Sequence, residues 1–125
     1  PEDFYKQARA IIVPSFFNES YARVVAEAMA AGVPVVASNR GALPETVGDA
    51  GLILDIPQIY QPQTTILPSA EEVQEWLAAI VRLWDDAFFW QTMCALGRER
   101  VERLWNEESV IDRYEEVLTN LILTN

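Results

Sequence analysis

The segment from Ala10 to Ser38 constrains the fold more than any other part of the chain. It opens on an unbroken apolar run, Ala10-Ile11-Ile12-Val13, and closes on a second, Val33-Pro34-Val35-Val36-Ala37. Strands that are apolar at every position are usually buried on both faces, as in parallel sheets. Between the two runs, Ser20 to Ala31 is rich in Ala, Val, Glu and Met. Its apolar residues Val24, Val25, Ala28, Met29 and Ala31 recur at helical spacing. Gly32 follows, where a left-handed residue commonly ends a helix. Strand, loop, helix, turn and strand in so short a span predict a parallel pair joined by a right-handed crossover. Gly51 begins a third apolar run, Leu52-Ile53-Leu54. The expectation is an α/β fold, with strands at about 10–14, 33–37 and 51–54 in a parallel sheet flanked by helices.

The remaining segments read as connections and helices. Glu2 to Ala8 predicts a short first helix, Leu43 to Val47 one helical turn, and Gly48-Asp49-Ala50-Gly51 a turn cluster. Residues 55–69 contain Pro57, Pro62 and Pro68 without any period, which predicts an extended surface loop, either a functional lid or an insertion. Ser69 and Glu72 have the spacing of a capping box. Behind them Val73, Trp76, Leu77, Ile80, Val81 and Trp84 form one stripe. Asp85 or Asp86 caps the next helix, with Trp90, Met93, Leu96, Gly97, Val101 and Leu104 expected to face inward. Glu108 or Ser109 starts the last, whose stripe is Val110, Ile111, Tyr114, Val117, Leu118, Leu121 and Ile122. That helix, over 106–125, is expected to close a single domain covering 1–125. The 3.6-residue period in all three assigns each an apolar face, and the tryptophans to packing rather than to a ligand platform.

Charge and residue usage narrow the chemistry. The chain carries 9 basic and 19 acidic residues, a net charge of −10, which repels nucleic acids and anionic membranes and is otherwise a solubilising surface. No nucleic-acid partner is expected. Histidine is absent, so the commonest general base and the commonest metal ligand are missing; neither a metal nor a cofactor is expected. Ser15 and Ser38, without a histidine, read as strand-end hydrogen bonders rather than nucleophiles. The single cysteine, Cys94, lies in an apolar helical pattern and reads as a small core residue. Its isolation fits a reducing, cytoplasmic setting, and a longer parent associated peripherally with a membrane is compatible with it. No apolar stretch approaches the ~18 residues of a membrane span.

Chemistry concentrates where the first strand hands over to the first long helix. A helix beginning at Ser20 or Tyr21 presents backbone N–H groups of Ala22, Arg23 and Val24, which together with the helix dipole favour a phosphate. Ala22 is small enough for close approach, and Arg23 adds positive charge. Glu19 and Glu27 lie eight residues apart, which on a helix is ~12 Å of rise and too far to share one proton. They could touch two parts of one long ligand, such as a nucleoside diphosphate sugar, since a carboxylate accepts hydrogen bonds from vicinal hydroxyls. Equally, Glu19 can be a partner of the helix dipole and Glu27 a solvated helix residue; their spacing alone favours this plainer reading.

The residues from Pro14 to Glu45 resemble a known signature. Pro14-Ser15, then Glu19-Ser20-Tyr21-Ala22-Arg23-Val24-Val25-Ala26-Glu27-Ala28-Met29-Ala30-Ala31-Gly32-Val33-Pro34-Val35-Val36-Ala37-Ser38, then Gly41-Ala42-Leu43-Pro44-Glu45, is similar to that of the retaining glycosyltransferase family 4, of GT-B fold. The likeness is close over 8–55 and looser elsewhere. It implies half of a Rossmann-like, three-layer C-terminal domain, which binds a nucleotide-sugar donor without a metal. It implies that Glu19 contacts hydroxyls of the donor sugar as the catalytic glutamate and that Glu27 holds the ribose. Tyr21, Ala22, Arg23 and Val24 would approach sugar and diphosphate through main chain, with Gly41 and Glu45 near the same cleft. Tyr21-Ala22 stands where the family usually has Phe-Gly, and the stretch 56–68 is longer than its norm.

The resemblance further implies a piece of a longer enzyme, whose acceptor would bind an absent N-terminal domain. The piece alone is then expected to be inactive in carbohydrate biosynthesis, and either to associate with itself through the exposed edge of strand 10–14 or to fold an N-terminal helix over that edge. A stand-alone, non-catalytic binding or interaction module is the alternative.

Overall fold

Residues 2–123 are described by a computed structural model. A short helix α1 (Glu2–Lys6) leads to strand β1 (Ile11–Val13), helix α2 (Arg23–Ala30), strand β2 (Val35–Ser38), helix α3 (Leu43–Val47) and strand β3 (Leu52–Leu54). Helices α4 (Ala70–Asp85), α5 (Ala87–Trp105) and α6 (Glu107–Leu123) follow. The strands form one parallel sheet in the order β1-β2-β3, with Ile12 opposite Val36 and Ala37 opposite Ile53. The expected α/β architecture is therefore present, each strand a residue or more shorter than expected.

The pleat divides the apolar runs between two cores. Ile11, Val13, Val35, Ala37 and Ile53 point to a cluster built with Val25, Ala28, Met29, Leu43 and Val47 of α2 and α3. Val36, Leu52 and Leu54 point the other way, to Ala79 and Leu83 of α4 and Met93 of α5. This is the two-residue alternation of a strand covered on both sides. Helix α5 serves both cores: Phe89, Trp90 and Met93 join the second, Val101 the first, and Leu96 both.

Local chemistry places the helix ends. Gly32 takes a left-handed φ of 73° after α2, and the N–H groups of Gly32 and Val33 donate to the carbonyls of Met29 and Ala28 at 2.9 and 2.8 Å. Ser69 and Glu72 close the expected capping box on α4, and Asp86 accepts from the Phe89 N–H at the start of α5.

Three expectations need correction. Strand β1 is not buried on both faces: Ile11 and Val13 are half-buried and Ile12 is 38% exposed. It is an edge strand among the described residues, so Ile12 has little over it. The stripe of α6 does not close the domain. The helix touches α5, yet Ile111, Tyr114, Val117, Leu118, Leu121 and Ile122 are all exposed. It starts at Glu107 rather than Glu108 or Ser109, and the predicted end of 106–125, at residues 124 and 125, lies outside the described residues. On α4 likewise, Val73, Leu77, Val81 and Trp84 are exposed while Ala79 and Leu83 carry the packing. A helical period marks which side is apolar; it does not supply what covers that side.

Candidate functional site

Because the strands are parallel, the loops after β1, β2 and β3 gather at one end of the sheet, where open α/β sheets bind ligands. Glu19 lies in the first of these loops and is fixed on two sides. Its carboxylate Oε1 accepts from the Ser15 hydroxyl at 2.8 Å. Its carbonyl accepts from the Ala42 N–H at 2.8 Å. The Ser15 carbonyl in turn accepts from Ser38 Oγ at 2.8 Å, and Ser38, at the end of β2, is fully buried. Gly41 lets the second loop come this close: its φ is +56°, and a β-carbon there would fall on the Glu19 backbone. Both serines are thus the strand-end hydrogen bonders expected, and Ser15 also orients the acid.

Helix α2 begins at Arg23, two or three residues later than expected, with Ala22 as an N-cap that provides no side-chain bond. Glu19 is therefore not on the helix, and the helical separation of the two glutamates does not apply. Of the three N–H groups expected to be free, that of Arg23 turns back onto the Tyr21 carbonyl at 2.9 Å. Those of Ala22 and Val24 have no acceptor among the described residues. No acidic residue sits in the first turn to offset the positive end of the helix. Tyr21 and Val24 are exposed, whereas Ala22 is 3% exposed and belongs to the core. Its methyl is absorbed by packing, so Ala22 does not offer the open approach read from its size.

Further along α2, Glu27 is held rather than merely solvated. Its Oε2 accepts from the Tyr5 phenol at 2.9 Å and its Oε1 from Arg23 at 3.1 Å. These donors, Tyr5 first, hold the carboxyl below its usual range. Burial, then the bond to Glu27, pushes the Tyr5 phenol up. Arg23 is thus turned to its i+4 neighbour. Two of the roughly four acceptor positions on the Glu27 carboxylate are taken, which leaves room for a ligand hydroxyl.

Two cavities open near this end. Tyr21 and Glu45, both singled out from sequence, line one of about 410 Å³ with Ser20, Ala42 and Arg100. Phe16, Tyr60 and Trp76 wall another of about 240 Å³, which is mostly apolar. Among the described residues no group of three or more His, Cys, Asp or Glu is placed to hold a metal ion.

Several contributors escaped the sequence reading. Tyr5 lies in a short helix whose docking site nothing local reveals. Arg100 on α5 donates to the carbonyls of Glu45 and Thr46 at 2.6 and 2.9 Å, meeting the negative end of α3. Arg9 lies over Trp90 at 4.2 Å while its carbonyl accepts from the indole at 2.9 Å, locking the α4–α5 junction. Arg40 is buried and reaches the loop after β3. For Arg9 and Arg40 the only signal was an arginine flanked by loop residues, which is common on any surface.

Comparison with known proteins bears on the family and the fold. The family model for glycosyl transferases of group 1 matches residues 1–86. An O-antigen chain mannosyltransferase B of Escherichia coli is 44% identical over 68 residues, covering 54% of this chain and 18% of the relative. A D-inositol 3-phosphate glycosyltransferase of Paenarthrobacter aurescens (strain TC1) is 28% identical over 123 residues, covering 96% of this chain and 27% of the relative. In structure, a sucrose-phosphate synthase from Thermosynechococcus elongatus superposes with a TM-score of 0.68 at 30% identity, over 98% of this chain and 27% of that one. The chain thus spans about a quarter or less of the length of these proteins.

Proposed function

The chain belongs to the group 1 glycosyltransferases, and from that premise we propose that it is the donor-binding portion of a retaining enzyme that transfers a sugar from a nucleotide-activated donor. The observation that carries the proposal is the seat of Glu19. An acid fixed by Ser15 and by the Gly41-Ala42 backbone, just ahead of a helix start with free N–H groups, suits a sugar joined to a diphosphate.

In this reading each group has one task. Glu19 accepts hydrogen bonds from donor-sugar hydroxyls and is the catalytic acidic group. The Val24 N–H and the positive end of α2 hold the diphosphate, with Tyr21 and Arg23 flanking it; Ala22 contributes backbone only if its loop opens. Glu27, oriented by Tyr5 and Arg23, accepts from the ribose with its remaining lone pairs. No metal is invoked. The acceptor binds a separate N-terminal domain, and the 125-residue chain alone binds donor weakly and transfers nothing. Strand β1, paired on one side only among the described residues, is the edge through which two copies of the isolated chain associate.

The test uses a full-length protein carrying this segment. Product anomers read by NMR should match those of the donor, and Glu19→Ala should lower turnover by about 100-fold or more, since the transition-state sugar loses a specific hydrogen bond. Unchanged turnover in Glu19→Ala, or an inverted product, would overturn the proposal. Light scattering of the isolated chain that shows only monomer removes the edge-pairing part.

A further inference from the structure

Arg40 is 3% exposed, yet no carboxylate forms an ion pair with it among the described residues. One of its terminal nitrogens donates to the carbonyls of Pro57 and Tyr60 at 2.7 and 3.1 Å, and its Nε is buried without an acceptor. Burying a guanidinium on carbonyls alone is costly, so stability by itself is a poor reason to keep it there. Its neighbours in sequence suggest another. Asn39 accepts from the Ile56 N–H at 3.0 Å and donates to Asp55. Gly41 packs on the Glu19 backbone and Ala42 bonds its carbonyl. Four consecutive residues therefore grip two different loops: 39 and 40 hold the segment 55–60, while 41 and 42 hold Glu19.

A second strut joins the same two loops. The Tyr60 ring stacks on Phe16 with centroids 5.8 Å apart, and Phe16 follows Ser15, whose hydroxyl orients Glu19. The Tyr60 phenol donates to Glu72 at 2.7 Å, anchoring that ring to the first turn of α4.

We propose that Arg40 is a positioning residue for Glu19: by pinning the segment 55–60 to the turn after β2, it sets the placement of the Glu19 loop. That Glu19 meets a donor sugar rests on the reading above; the mechanical link does not. Arginine suits the task because the two N–H groups of one planar terminal nitrogen reach two carbonyls in fixed directions, whereas a rotating ammonium sets no such directions and an apolar chain makes neither bond.

The experiment is amide NMR of the 125-residue chain and its Arg40→Met, Arg40→Lys and Phe16→Leu variants. Arg40→Met should speed exchange of the Ala42 amide by about tenfold or more and shift the Glu19 amide resonance, with Val36 and Met93 amides unaltered. Arg40→Lys should fall between wild type and Arg40→Met, and Phe16→Leu should shift Ser15 and Glu19 with a smaller effect on Ala42. Should Arg40→Met fail to fold, seen as loss of the Val36 and Met93 resonances, Arg40→Lys and Phe16→Leu decide. Unmoved Glu19 and Ala42 amides in a folded Arg40 variant overturn the proposal. Titration with uridine and guanosine diphosphate sugars separates the two readings. Wild-type amides that ignore every donor count against donor binding, while a moved Glu19 in the Arg40 variants still upholds the positioning role.

Discussion

The Tyr5 phenol donates to the Glu27 carboxylate across 2.9 Å, joining the first helix to the second through residues 22 apart in sequence. Tyr5 is 6% exposed and is a member of the α2 core, so this contact combines apolar packing with one directed bond. Arg23 holds the other oxygen, and the carboxylate arrives at the sheet end already oriented.

A pH dependence follows from that pair. Glu27 is lowered from an ordinary value of 4.5, so its contribution to stability is present above that value and is lost as pH falls through the lower folded one. Tyr5 is raised from 10.0, so its contribution is present below that value and is lost as pH rises through the higher folded one. Tyr5→Phe should bring the Glu27 titration back toward 4.5 and flatten both limbs. Carboxyl NMR titration and urea midpoints between acid and alkaline pH check this; an unshifted Glu27 in Tyr5→Phe contradicts it.

Gly41→Ala should disturb Glu19 before anything else. The left-handed φ costs an ordinary residue about 1–2 kcal/mol, and its β-carbon meets the backbone of Glu19 and Asn18 rather than a flexible side-chain end. The expected result is a folded but less stable chain, with chemical shifts moved at 18–20 and 41–42 and little changed in α5. In a full-length enzyme the same variant should lose turnover. A Gly41→Ala chain with unchanged shifts at Glu19 would contradict the packing described.

Gly97 is expected to behave oppositely. It lies within α5 against Met29, and an added β-carbon would sit 3.5 Å from that residue, an ordinary contact. Alanine removes the backbone entropy of a helical glycine, so Gly97→Ala should be neutral or stabilising by about 0.5–1 kcal/mol. Met29→Ala, which empties a fully buried site, should cost about 2–5 kcal/mol. Denaturant midpoints at equal slope measure both; a destabilised Gly97→Ala would mean that α2 and α5 pack more tightly than described.

Cys94 should be inert in the folded chain. It is 5% exposed, and burial pushes its thiol up, which removes the thiolate that reacts. Its reaction with an aromatic disulfide at pH 8 should be about 100-fold or more slower than that of free cysteine, and should become fast in denaturant. A rapid native-state reaction would place the α5 interior in contact with water.

Much of the fold was legible because local rules and global topology agreed. The parallel strands, the Gly32 cap, the Ser69–Glu72 box, the turn at Leu43–Val47 and the inward face of α5 all follow from short-range patterns with direct physical causes. The Glu19 loop was legible as a place, since a loop between an apolar strand and a helix lies at the ligand end of such a sheet. Its construction was not. Nothing near Arg40 in sequence announces Pro57 or Tyr60, and nothing near Glu27 announces Tyr5; these partners meet only when separate elements dock.

By itself the sequence determined where the chain is apolar, with what period, and where it must turn, because side-chain alternation, helix pitch and glycine's backbone freedom act over a few residues. Tertiary structure alone decided which apolar faces were covered and which polar groups found partners. Three helices, each with an apolar stripe, ended differently: α5 enters two cores, α4 shares its face with solvent, and α6 keeps most of its stripe exposed. Burial and pairing belong to two surfaces at once, and a periodic pattern describes only one of them.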